Sequence, residues 1–137
     1  MTEDYSSICF ESYDRILNDS GMKFFDEFYR LFLSATPEVA SLFSHTDMQR
    51  QKTVLRLSFY QLIHFYEKKV PSESMAALGK VHAKDGRNIP PHLYDIWLNC
   101  LINAVKNYDP QFSPHVETAW RMVFSPGIDY MKHMYEL

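Results

Sequence analysis

The sequence predicts an all-α domain of about seven helices. Apolar residues recur at i, i+3, i+4 and i+7 along most of the chain. Capping residues and prolines divide that pattern into lengths that suit helices. No stretch shows the period-two alternation of a half-buried strand. At 137 residues the chain is read as one domain, 1–137, large enough to bury a real core.

The first helix is expected over residues 6–17, with Ile8, Ser12 and Ile16 on one side. Asn18-Asp19-Ser20-Gly21 is read as its break. Residues 22–34 follow, crowding Phe24, Phe25, Phe28, Leu31 and Phe32 into one helix. Thr36-Pro37-Glu38 supplies a cap, a proline at the first helical position and an acid in the first turn. It opens a short helix through Val39 and Leu42 to Phe43. Thr46 and Gln49 read as a capping box. Behind them Met48, Gln51, Leu55, Ser58, Leu62 and Phe65 hold one stripe. Val70-Pro71 closes that segment, and Ser72 caps the next. A long helix from Pro91 to about Tyr108 turns Tyr94, Trp97, Leu101, Ala104 and Tyr108 inward. Asp109-Pro110 is a turn, and Ser113-Pro114 caps the last helix. That helix buries Val116, Trp120, Val123 and Met131, and Pro126-Gly127 is expected to kink or interrupt it.

Composition excludes several functions. The net charge of −3, with both signs mixed, leaves no basic footprint for nucleic acid. No apolar run approaches the roughly 20 residues of a membrane span. The first residues lack the basic and apolar regions of a secretory signal, so the expected compartment is the cytoplasm. Cys9 and Cys100 are too few for a disulfide scaffold and read as buried free thiols. Aromatics at 15% suggest bulky walls around something flat.

The stretch that carries chemistry is M-A-A-L-G-K-V-H, residues 75–82. Met75, Leu78 and His82 share one helical face with Gly79. Leucine and methionine there are ordinary core, but a histidine needs buried partners or a ligand. A satisfied core histidine is the commoner case. Here the chain turns at Asp85-Gly86 and restarts at Ile89-Pro90-Pro91, bringing Tyr94, Trp97 and Leu98 to the next inward face. A lone imidazole amid apolar side chains suits a flat organic cofactor that carries its own metal, as haem does.

Residues 25–43, F-D-E-F-Y-R-L-F-L-S-A-T-P-E-V-A-S-L-F, resemble the second and third helices of a bacterial globin. The resemblance extends over nearly the whole chain. Phe28-Tyr29, Pro37-Glu38-Val39, Phe43, Gln51, Leu55, His82, Tyr94 and Trp120 follow the order seen in single-domain haemoglobins and the globin domain of flavohaemoglobins. No single position is diagnostic; the joint order is.

The resemblance implies a globin fold around haem b. His82 matches the proximal metal ligand, and Phe43 the phenylalanine against the haem face. Tyr29 matches the distal tyrosine, Gln51 the distal polar residue and Leu55 the apolar residue shaping the ligand cavity. A phenol and an amide aimed at a polar diatomic ligand imply tight oxygen binding and slow release. Tyr94 matches a tyrosine that contacts the proximal histidine. Its glutamate partner in the family has one candidate here, Glu136, about one residue off register and more simply an exposed acid. The loop A-K-D-G-R-N after His82 is about two residues longer than the family pattern. Its Lys84 and Arg87 are candidates for haem propionates, with solvated charge as the simpler account. His45 is the one histidine near enough to serve as an internal sixth ligand, whereas His64 lies too far along its helix.

The leading function is reversible binding of oxygen and other diatomic gases. The alternatives are a nitric oxide dioxygenase or weak peroxidase, a gas sensor acting through a partner, and a haem-free interaction module. No reductase or output module is expected after Leu137, so an enzyme of this kind would draw on an external reductase. A monomer or a homodimer is expected.

Overall fold

The computed structural model describes residues 4–136, and among them the chain forms helices and no strand. The helices are α1 Tyr5–Ser20, α2 Lys23–Ala35, α3 Pro37–Leu42, α4 Met48–Lys68, α5 Glu73–His82, α6 His92–Tyr108 and α7 Pro114–Met134. Three expected caps are in place. Thr36 accepts from the Val39 amide at 3.1 Å, Ser72 from Met75 at 3.0 Å and Ser113 from Val116 at 3.2 Å. Each satisfies an amide that the first helical turn leaves without a partner.

Three local expectations are corrected. Helix α1 begins earlier, capped by Asp4, and continues through Asn18-Asp19-Ser20. Ser20 lies in the last turn, where its hydroxyl donates to the Ile16 carbonyl at 2.7 Å. The break falls at Gly21, whose φ of 56° is open to a residue without Cβ. Helix α4 is capped by Asp47, which accepts from the Gln49 and Arg50 amides at 3.1 and 3.3 Å. The expected Thr46–Gln49 box is displaced by one residue, and a carboxylate also suits the positive end of the helix dipole.

Helix α7 runs unbroken through Pro126. The carbonyl that the proline leaves without a donor belongs to Met122, on the exposed side of the helix where solvent reaches it. Gly127 serves packing. A Cβ there would collide with Leu62 of α4 and reach 3.5 Å from the Met75 methyl of α5. The Pro-Gly pair therefore marks a close approach of α7 to the helices that flank the site.

Helices α1 and α4 pack on α7, and α2 packs on α6. Trp120, Phe24, Phe25, Phe28, Phe59 and Phe124 fill the space between them without exposure. Some of their rings meet edge to face, as in Trp120–Phe124 at 5.4 Å and 88°, and others are tilted, as in Phe25–Phe59 at 47°; such pairs are worth about 0.5–1.5 kcal/mol beyond area burial. A polar network crosses this core. The Trp120 indole N–H donates to Ser12 Oγ at 2.9 Å, and Ser12 donates to Asp109 at 2.6 Å. Arg15 reaches the same carboxylate through two nitrogens at 2.9 and 2.8 Å. The serine on an otherwise apolar stripe is thereby accounted for. Asp109, expected only as a turn residue, is 4% exposed and pins the end of α6 to α1. Cys9 and Cys100 are buried free thiols.

Candidate functional site

A cavity of about 710 Å³ opens between α4 and α5, within the range of small-molecule and cofactor sites. Tyr29, Phe43, Gln51, Leu55, His82 and Tyr94 all line it. These positions come from α2, α4, α5, α6 and the segment after α3, brought together only by the fold.

His82 is the last residue of α5. Its Nδ1 lies 2.9 Å from the Leu78 carbonyl one turn earlier. A carbonyl only accepts, so Nδ1 carries the proton and Nε2 keeps its lone pair. Burial lowers the pKa of the ring, and the Arg87 charge adds to that effect against the Leu78 bond. The imidazole is therefore neutral, the form a metal ligand requires. The loop after it folds back on α5 through bonds from Arg87 to the Val81 carbonyl at 2.7 Å and from Ile89 to the His82 carbonyl at 3.1 Å. This places Arg87 at the cavity, while Lys84 does not line it.

The wall from α2 and α4 carries the other polar pair. The Gln51 side-chain amide donates to the Tyr29 hydroxyl oxygen at 3.1 Å. Among the described residues no acceptor takes the Tyr29 proton. Burial pushes its pKa up to about 12, so the phenol stays protonated and remains a donor. Phe43 meets the Tyr29 ring edge-on at 5.9 Å and the Phe32 ring at 6.0 Å. Phe28 also meets the Tyr29 ring edge-on, at 4.9 Å, so two rings pack against the phenol.

Tyr94 is buried, and burial raises its pKa. The partner of His82 Nδ1 is the Leu78 carbonyl rather than a carboxylate. Glu136 is exposed and does not line the cavity. His45 lines the cavity and His64 does not. Phe32, Ile128 and Met131 also line it, although the sequence marked them only as core or passed over them. The i, i+3 spacing of Ile128 and Met131 beside Gly127 was the available signal, since a glycine lets the next inward residues come close.

Among the described residues, no group of three or more histidine, cysteine or acidic side chains is gathered to hold a metal ion. A single neutral imidazole in an apolar cavity is a poor site for a bare ion. It is the usual axial ligand for iron that arrives in a porphyrin. The donor set and the flat aromatic walls thus fit haem.

The globin family model matches residues 26–131. The chain belongs to the globin family, whose members generally bind haem. Its fold is similar to the crystal structure of protein PA3967 from Pseudomonas aeruginosa PAO1, described as structurally highly homologous to a human haemoglobin. That likeness has a TM-score of 0.90 and 34% sequence identity, covering 96% of this chain and 98% of the other. No curated protein matches the chain. No described helix is long and apolar enough to cross a membrane.

Proposed function

We propose that residues 1–137 act as one globin domain that binds haem b through His82 Nε2 and reversibly binds oxygen. The Leu78 carbonyl holds the His82 ring in the tautomer that leaves Nε2 available. Haem, when bound, supplies a ferrous iron able to take a diatomic gas. On the other wall, Gln51 occupies the Tyr29 oxygen and leaves the phenol proton for a ligand. The contact between Gln51 and Tyr29 on the cavity wall is the observation on which this function rests. One such hydrogen bond is worth about 0.5–1.5 kcal/mol, and more where water is excluded. Phe43, Leu55 and Trp97 supply the apolar walls that exclude it. Oxygen, which becomes polar on binding, gains more from this donor than carbon monoxide does.

Absorption spectroscopy of the purified protein tests this function. Ferric and ferrous samples should both show a Soret band, and that of the ferrous sample should shift on adding oxygen or carbon monoxide. A colourless protein that takes up no added haem would refute it.

A further inference from the structure

Two polar contacts join α2 to α4, and only one of them touches the cavity. The first is the bond from Gln51 to Tyr29. The second is the ion pair between Lys52 Nζ and Asp26 Oδ1 at 2.7 Å. Asp26 lies three residues before Tyr29, on the same face of α2. Lys52 directly follows Gln51 on α4. A slip of α4 along α2 would therefore stretch both contacts together. The Lys52 side chain is only 13% exposed, and lysine is rarely so covered without a partner.

We propose that the Asp26–Lys52 pair is a positioning strap that holds Gln51 against Tyr29 and so slows gas release. This rests on Tyr29 being the donor to the ligand. Hydrogen bonds weaken steeply with misalignment, so a small slip of Gln51 frees the phenol to turn away from the cavity. The two ends of the strap differ. Asp26 is 56% exposed, and water can solvate its carboxylate if Lys52 is removed. Removing Asp26 instead leaves a largely covered lysine side chain without its partner, so its end must find a new path to water past α2.

The test uses the full-length haem-loaded protein. It measures the oxygen dissociation rate and, in the carbon monoxide complex, the C–O stretching frequency, which reports the donor facing the ligand. Asp26→Asn should speed oxygen release about threefold, the modest size expected for a pair with one exposed partner. Lys52→Met should have a smaller effect, and Lys52→Arg should stay near the parent. Salt at about 1 M should narrow the gap between parent and Lys52→Met, since it screens the pair. In a Tyr29→Phe background the strap variants should change nothing further. An Asp26→Asn protein with parental release rate and C–O frequency overturns the strap, whatever its thermal stability. If Tyr29→Phe itself leaves release unchanged, Tyr29 is not the donor, and the underlying function fails rather than the strap alone.

Discussion

Two polar clusters interrupt the apolar interior, and they are built on opposite principles. Around Asp109, Ser12 and the Trp120 indole each have a partner, and both carboxylate oxygens accept from Arg15. Around the cavity, the Tyr29 phenol proton and the His82 Nε2 lone pair have no partner among the described residues. Buried polar groups are ordinarily satisfied, and leaving one unmade costs about 1–3 kcal/mol. The closed cluster specifies how α1, α6 and α7 pack. The open one holds a donor and an acceptor in reserve on two walls of one cavity, as a site for a ligand requires. Burial alone does not separate the two; the presence of unused capacity does.

The largest expected effect removes the reserve altogether. His82→Ala should leave the protein largely free of haem, with the fold intact by circular dichroism. Stoichiometric haem and an unchanged spectrum in this variant would show that the open cluster does not hold the cofactor.

The next breaks the closed cluster. Asp109→Asn should cost about 3 kcal/mol by urea denaturation, because it leaves a partly buried Arg15 without its charge partner. Oxygen release should stay close to the parental rate. Burial pushes the Asp109 pKa up, but the bonds from Arg15, Ser12 and the Gln111 amide outweigh it and hold the carboxyl below its ordinary 3.8. A depressed folded value means that the stabilisation is complete above the ordinary value and is lost as pH falls through the lower one. The parent should therefore lose its margin over Asp109→Asn only below about pH 4. A margin that persists unchanged at lower pH would refute this account.

The smallest effect sharpens the comparison within the cavity. Tyr29→Phe should speed oxygen release about tenfold, equivalent to about 1.4 kcal/mol, with little loss of stability. Gln51→Leu should give part of the same effect by releasing the phenol. Because both act through one bond, the double variant should fall short of the sum. Strict additivity would mean that the two side chains do not act together on the ligand.

Some of this protein was legible in short windows of sequence. The helices, most of their caps and the stripe ending in His82 each follow from residues no more than one or two turns apart, because helical hydrogen bonds and capping are local. A glutamine amid apolar neighbours marked Gln51 as needing an inward partner, and its likeness to known globins supplied the pairing with Tyr29. Even local signals were offset where two caps competed, as at Thr46 and Asp47, since one residue of register is a small difference in energy.

The tertiary structure alone decided the rest. Ser12 and Asp109 are 97 positions apart, and Ser12 and Trp120 108, so nothing in either window says that a stripe serine and a turn aspartate share a proton. Pro126-Gly127 reads locally as a kink or an interruption; the helix is not interrupted, and the missing Cβ answers to Leu62 on another helix. The choice between a closed polar cluster and an open one is likewise made by packing. Which donors and acceptors remain unspent depends on what distant elements bring against them, and that information is not held in any single stretch of the chain.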